Sequence, residues 1–535
     1  MSVREQLNAI AARRILILDG AMGSMIQALN PGDNSCNDLL CITKPEAIFS
    51  IHEAYLEAGA DIIETNSFNS TSVSLSDFGL EGRAYEISAA AAALARKCAD
   101  KFSSSAKPRF VAGSMGPMSK SGSLSPDVCD LSKRAIYWDE LEAAYYDNAR
   151  GLLDGGADIL LVETIFDTLN AKAALFAISR LLEERSADVP VMISATVQGE
   201  PGRLLSGQTL EAFCISVLHA NPWALGLNCS FGPEKLLPHL RRLSGIAPCM
   251  VSAHPNAGLP NQTGAYDETP QTMSEHIEAY FKEGLVNIVG GCCGSTPAHI
   301  AAIAEKAASH KPRKTPPPGG QALPSLAGLE PLAQVSNAAG INVAGIHAAA
   351  KLAEGNRICL SIVGEEDYED ASDLAQDMVE EGAAIVDFSM DGALPEAEKT
   401  MGKFLDTVLS NPYIAKVPFM LSSANWNVLE AGLKRLQGKG IVNSINLKDG
   451  EEEFLRRTAL VRRYGAAAVV TLIDEKGEAE TAGRKTEIAG RACKLLKESG
   501  FPAGDIVFAD YDNSRLSLFT NSAGSLSFTP STNNA

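Results

Sequence analysis

Two rhythms of apolar positions alternate along the first 310 residues of the chain. Short β-branched runs begin near Ile15 (ILILDG), Asp61 (DIIETN), Phe110 (FVAGSMGP), Asp158 (DILLVET), Val191 (VMISAT), Ala224 (ALGLNCS), Met250 (MVSAHPNAG) and Val286 (VNIVGGCC). Between them lie longer stretches, such as Pro45 to Ala58 and Trp138 to Gly155, whose apolar residues recur at helical spacing. Eight strand–helix units over this length predict an α/β fold closed as a (β/α)8 (TIM) barrel, not an open doubly wound sheet. The tripeptide GAD precedes strands at Gly59–Asp61 and Gly156–Asp158, as expected for a glycine-capped helix followed by a short turn.

Residues 311–324 (KPRKTPPPGGQALP) are rich in Pro, Gly and Lys and continue neither a helix nor a strand, so they read as a linker after a 1–310 domain. A second βα series follows, with strand cores in AAIVDFSMDG (from Ala383), VPFMLSS (from Val417), GIVNSINLKDG (from Gly440), AAAVVTLIDEKG (from Ala466) and DIVFADYDN (from Asp505). About six strands fit within residues 325–513, which predicts an incomplete TIM-barrel-like α/β domain with uncovered strand edges. Residues 514–535 are rich in Ser, Thr and Asn and are expected to be a disordered tail.

Composition narrows the function classes. The chain of 535 residues is 45% hydrophobic and 21% charged, as in a soluble globular protein, and is long enough for two or three domains. Its formal net charge of -19 argues against a nucleic-acid partner, which would need clustered Lys and Arg. Neither a signal-like N-terminus nor an apolar run of about 20 residues is present, so no membrane partner is expected and the cytoplasm is the expected compartment. Eleven cysteines in a chain of this size do not suggest a disulfide scaffold. Cys98, Cys214, Cys359 and Cys493 stand singly in apolar patterns and are expected to be small buried hydrophobes.

In a (β/α)8 barrel, functional residues gather at the C-terminal ends of the strands. Those ends carry Asp19, Glu64 and Asn66, Ser114, Glu163, Asn228 and Cys229, His254 and Asn256, then Cys292 and Cys293. Three thiolates without a fourth protein ligand are what an open zinc site requires, with a substrate in the fourth position. Adjacent cysteines on a regular strand would point to opposite faces, but Gly290, Gly291 and Gly294 permit a bend that brings both sulfurs to one ion. Spacing alone leaves open a buried apolar pair or a vicinal disulfide. His254 is a conceivable further ligand, though a satisfied structural histidine is the expected reading.

The segments DGAMGSMIQ (from Asp19), ETNSFNST (from Glu64), GSMGP (from Gly113), VETIFDTLNAK (from Val162), GLNCSFGP (from Gly226), HPNAGLPN (from His254) and GGCCGSTPAHI (from Gly290) resemble the homocysteine-binding domain of cobalamin-dependent methionine synthase. Relatives of that domain include the betaine- and S-methylmethionine-homocysteine methyltransferases. The resemblance covers about residues 10–310. It implies a zinc-dependent homocysteine S-methyltransferase with the metal on Cys229, Cys292 and Cys293. Homocysteine would become a zinc thiolate that attacks a methyl group and yields methionine. The resemblance also implies that the backbone at Asp19 and Gly20 receives the substrate carboxylate and that Glu163, with Glu64 or Asp19, faces its ammonium. Asn66 and Asn256 would organise the pocket.

The second domain resembles the pterin-binding barrel that follows in methionine synthase, through SLAGLEPL, VDFSMDG, GKGIVNSINLKDG, RRYGAAAVV and IDEKGEAET. Several of that family's ring-bonding positions differ. AAGIN stands before Val343, Ser389 replaces an expected asparagine, Ser422-Ser423-Ala424 replaces aspartate-serine-serine, and the chain stops before the last two strands. Asp387, Asn443 and Asp474 remain to bond a pterin, but methyltetrahydrofolate is not expected to bind. No D-x-H-x-x-G motif occurs and no histidine follows His347, so methylcobalamin would come on a separate corrinoid protein. Two alternatives stay open: direct transfer from S-methylmethionine or betaine, and a non-catalytic homocysteine- or zinc-binding remnant.

Overall fold

A computed structural model describes residues 1–30, 36–260, 266–316, 326–332, 343–347, 368–390, 396–509, 518–520 and 526–528. Cys359 and the AAGIN segment lie outside the described residues.

The eight expected strands of the first series form one parallel sheet. They are β1 (Leu16–Ile17), β2 (Ile62–Glu64), β3 (Phe110–Met115), β4 (Ile159–Ile165), β5 (Val191–Ala195), β6 (Ala224–Asn228), β7 (Met250–His254) and β8 (Ile288–Val289). Each pairs with its sequence neighbour, β8 pairs with β1, and a parallel bridge from Leu18 to Ile62 joins β1 to β2. The Asp19 N–H donates to the Ile62 carbonyl at 3.1 Å across that seam. Gly59 and Gly156 adopt positive φ (113° and 96°) after their helices, as the GAD pattern requires.

One end of this barrel is plugged by the chain's own start. The helix Val3–Ala11 is capped by Ser2, whose side chain accepts from the Glu5 N–H while Glu5 reaches back to the Ser2 N–H. Its buried face delivers Leu7 and Ala11 to a cluster with Leu16, Leu18, Ile62, Phe110, Leu161, Met192 and Trp223. The Trp223 indole N–H donates to Asn8 Oδ1 at 2.8 Å and fixes the plug. Function is therefore left to the opposite, C-terminal mouth.

The helix Pro45–Glu57 shows how sequence sets packing here. Proline occupies its first turn, and Ile48, Ile51, His52, Tyr55 and Leu56 recur at three- and four-residue spacing on the buried face. His52 is fully buried, and neither ring nitrogen has a hydrogen-bond partner. Burial lowers its pKa to about 4. Since the unfolded chain binds that proton near pH 6.5, protonation favours unfolding: the stability present above pH 6.5 is lost as pH falls toward 4. The loss should be on the order of 3 kcal/mol. Acid denaturation of the wild type and of His52→Leu, which sacrifices no hydrogen bond, should diverge by that amount between pH 7 and 4. Parallel curves would refute it.

The second series forms a parallel half-barrel sheet. Its strands are β9 (Val343–His347), β10 (Ile385–Ser389), β11 (Phe419–Ser422), β12 (Ile441–Leu447), β13 (Ala467–Asp474), the short antiparallel β14 (Gly477–Glu478) and β15 (Ile506–Ala509). The order is β14-β13-β12-β11-β10-β9, with β15 also on β13. Phe388 meets Phe404 edge to face and stacks on Phe419, at 4.9 and 5.4 Å between ring centres. Within the tail, β16 (Leu518–Thr520) and β17 (Leu526–Phe528) pair as an antiparallel hairpin.

The chain divides into two compact units that interleave along the sequence. One comprises Met1–Lys120, Asp139–Ser206 and Asn221–Gln321; the other comprises Ser121–Trp138, Gly207–Ala220 and Ala322–Ala535. Inside the second unit the Thr209 N–H donates to the Leu329 carbonyl (2.9 Å) and Gln208 Nε2 to the Gly328 carbonyl (3.0 Å). Arg134 there donates to the Asp406 carbonyl at 2.7 Å. Arg313, in the stretch read as linker, is buried in the first unit and donates to Ser244 and to the carbonyls of Ala247 and Cys249. Cys98 and Cys214 are buried, as expected, but Cys493 is exposed. The helix Ala482–Glu498 buries Ile488, Ala492 and Leu496, and Cys493 lies about 100° round the helix from Ala492. Among the described residues no helix is long and apolar enough to cross a membrane.

Candidate metal centre and pocket

Cys229, Cys292 and Cys293 converge at the mouth of the first barrel. Their sulfurs all lie within 4.8 Å of one another, and Cys293 is 4.0 Å from both of the others. A disulfide would bring two sulfurs to about 2 Å, so the vicinal-bridge alternative is not formed. Three sulfurs at about 2.3 Å from a tetrahedral metal would be about 3.8 Å apart, close to the spacing found. The donor set therefore fits a thiophilic metal, with no fourth His, Cys or carboxylate in the group among the described residues.

Local backbone conformations place these thiols. Cys229 and Ser230 directly follow β6 and both take left-handed φ (59° and 62°), a strained choice for residues with side chains. The Cys229 N–H donates to the His254 carbonyl (3.0 Å), and Ser230 Oγ accepts from the Val197 N–H (3.1 Å), holding the turn. Cys292 and Cys293 lie beyond β8 on a turn, not on a strand, so alternation does not part them. Of the three neighbouring glycines only Gly294 has positive φ (80°), and a Cβ there would lie 2.1 Å from the Tyr266 ring. Gly290 and Gly291 are needed for closeness instead, since their Cβ atoms would lie 2.7 Å from the Asp19 carbonyl oxygen and 2.3 Å from Ser295 Oγ. Hydrogen bonds from Cys292 and Cys293 hold the Cys229 thiol down to about 3, while the same sharing pushes Cys292 up.

Three acids share this mouth. Glu163 at the end of β4 is 5% exposed and accepts from Ser114 Oγ. Burial raises its carboxyl to about 7, and raises Asp19 and Glu64 well above the usual range, where mutual repulsion with Glu163 adds to it. Asp19 Oδ2 accepts from the Glu64 N–H at 3.0 Å, while Oδ1 is buried without a partner. Such a cluster of desolvated acids suits a ligand cation. The Asp19 N–H is already spent on β2, whereas the first turn of the helix Met22–Leu29 has no side-chain cap.

Asn66 Nδ2 donates to the Asn37 carbonyl (2.7 Å), which ties one mouth loop to another. Asn256 hydrogen-bonds Cys229, and its Oδ1 has no partner. His254 is buried outside the sulfur group, with burial lowering it to about 3, yet its Nε2 has no partner. It is thus not the satisfied histidine expected. Sequence reasoning passed over Tyr266, which hydrogen-bonds Cys293, and Tyr55, which donates to the carbonyls of Ala21 (3.0 Å) and Ser295 (3.1 Å). The aromatic in NQTGAYDE, six residues past GLP, was the available signal for Tyr266.

In the second unit Asp387, Ser422 and Asn443 line a cavity of ≈ 810 Å³ at the ends of β10, β11 and β12. Ser422 Oγ donates to Asp387 Oδ1 (2.5 Å) and accepts from Asn443 Nδ2 (2.9 Å). Asp474 is otherwise engaged: it accepts from the Arg484 guanidinium and from the Lys476 N–H.

A parallel barrel carries a thiol cluster at metal-binding spacing and a group of desolvated acids at one mouth. Residues 16–307, more than half the chain, match the family model of the homocysteine S-methyltransferases, and the chain belongs to that family. It is a methyltransferase, and membership sets aside the non-catalytic alternative. Residues 355–511 match the family model of pterin binding enzymes. Among solved structures, the metallated form of the homocysteine methyltransferase MmuM from Escherichia coli is 25% identical with a TM-score of 0.45, over 56% of this chain and 98% of that one. Its oxidized form gives 25% and 0.45, over 55% and 96%. A B12-independent methionine synthase from Shewanella sp. W3-18-1 in complex with selenomethionine is 13% identical with a TM-score of 0.33, over 56% and 97%.

Proposed function

We propose that the first unit methylates the sulfur of homocysteine with Cys229, Cys292 and Cys293 holding a zinc ion. The observation that carries this reading is three thiols at metal-binding spacing beside the buried acids Asp19 and Glu163 and the partly buried Glu64. When bound, zinc supplies Lewis acidity that lowers the pKa of the substrate thiol, so the sulfur is ionised near neutral pH. The rest falls to the chain's own groups. Glu163, flanked by Glu64 and Asp19, pairs with the ammonium, and its carboxyl gains charge when the cation arrives. Gly20 and the N-terminus of the helix Met22–Leu29 receive the carboxylate. Asn256 steadies Cys229 and Asn66 organises the loop at Asn37. The ionised sulfur then attacks the methyl carbon. The S–C bond forms as the donor's bond to that carbon breaks, and the donor leaves with the electron pair.

The donor we favour is a methylated corrinoid on a separate protein. Purified full-length protein, zinc and homocysteine should yield methionine when supplied with methylcobalamin. Turnover only with S-methylmethionine or betaine would reassign the donor, and no methionine from any of them would sink the reading.

For the second unit we propose that the scaffold is shared with pterin-binding enzymes but that methyltetrahydrofolate binds weakly or not at all. Asp474 is committed to Arg484, and Ser389 stands where an asparagine is expected. Each unmade bond to a ring donor costs about 1–3 kcal/mol. Calorimetric titration of the full chain should give a dissociation constant no tighter than about 1 mM. Micromolar affinity would overturn this and restore Asp387 and Asn443 as sufficient.

A further inference from the structure

We propose that Asn228 is a positioning residue that joins the metal-binding turn to the ammonium-binding carboxylate. It sits at the end of β6, is 1% exposed, and uses both ends of its amide. Its Oδ1 accepts from the Thr164 N–H at 3.0 Å and from Ser194 Oγ. Its Nδ2 donates to Thr164 Oγ1 at 2.8 Å and reaches the Cys292 sulfur at 3.9 Å. Those four contacts fill the hydrogen-bonding capacity of the amide's two donors and two lone pairs.

What it holds is a strained residue. Thr164 takes φ 55°, a left-handed conformation that a β-branched side chain adopts only when its surroundings impose it. The pairing of β4 with β5 is regular up to Val162 and shifts before Ile165, so Glu163 and Thr164 lie in the irregular step. Asn228 clamps Thr164 by backbone and hydroxyl together, and that clamp fixes the direction in which the preceding Glu163 side chain leaves the strand. The same amide contacts Cys292, and the next residue along the chain is Cys229. One side chain therefore references the acid and the thiols to each other. A substrate bearing a thiol and an ammonium on one short carbon chain needs that separation held constant.

This inference rests on the zinc and ammonium reading above. The test uses the full chain with Asn228→Ala and Asn228→Asp. The first probe is the ratio of affinities for homocysteine and 4-mercaptobutyrate, which lacks only the ammonium. The second is the thiolate-to-metal absorption band of the cobalt(II)-substituted protein. Asn228→Ala should lower the affinity ratio about tenfold or more and move the cobalt band to longer wavelength, since the Cys292 sulfur loses a donor. Asn228→Asp keeps the acceptor for Thr164 but loses the donor to sulfur, so it should shift the band while keeping most of the discrimination. Wild-type ratio and band in both variants would overturn the proposal. If the alanine variant fails to fold, an unshifted band in the same-sized aspartate variant overturns it alone. A wild type that binds no metal, or does not discriminate the two thiols, fails the underlying reading instead.

Discussion

Alanine at any one of Cys229, Cys292 or Cys293 should abolish both tight zinc binding and methyl transfer. A three-ligand site has no spare donor: His254 lies outside the sulfur group, and no other His, Cys or carboxylate joins it among the described residues. With two thiolates left, the ion would have to complete its shell with water, and its affinity should fall by at least about a hundredfold. Elemental analysis of the wild type should find about one zinc per chain, and the single variants should lose it on brief dialysis against chelator. A triple variant that retains zinc would place the metal elsewhere. The apo protein should stay folded, because the first barrel is built on the apolar layer around Leu7, Leu16, Phe110 and Leu161. In this it differs from small zinc domains whose folding is metal binding. An unchanged thermal transition after zinc removal would show it.

Glu163→Gln should have the next largest effect. The change keeps shape and can still accept from Ser114, but it removes the carboxylate charge placed to meet the ammonium. Loss of a charged hydrogen bond should weaken homocysteine by about 1.5–3 kcal/mol, or roughly 10- to 150-fold. Affinity for 4-mercaptobutyrate should hardly change. Equal losses for both thiols would mean that the substitution disturbs the metal or the barrel, not an ammonium contact.

The barrel and its mouth were legible because two periodicities suffice to read them. Once strands are located, chain direction alone puts every strand's C-terminal end on one face, and Asp19, Glu64, Glu163, Cys229 and Cys292–Cys293 follow. What stayed hidden depends on partners far away in sequence. The role of Asn228 rests on Thr164 and Ser194, and no local pattern marks Thr164 as left-handed. The partner of Asp474 was hidden although it is nearer, since Arg484 lies ten residues on and reaches it from the following helix. Cys493 was misplaced because a singleton in an apolar run says nothing about which side of the helix it occupies.

The interleaving of the two units also bears on synthesis of the chain. The helix Leu210–Val217 emerges among first-unit elements, yet Ala212 and Ile215 are covered by Ala327, and Thr209 is bonded to Leu329. At ribosomal speeds of about 5–20 residues per second, more than a hundred residues must be added before that cover exists, a wait of roughly 6–23 s. Throughout that interval an apolar helix face stands open on the nascent chain, where a holding chaperone has its natural opportunity. A stop codon or engineered cut at the apparent boundary near residue 310 would make that transient exposure permanent, so the first catalytic half should be prone to aggregate when expressed by itself.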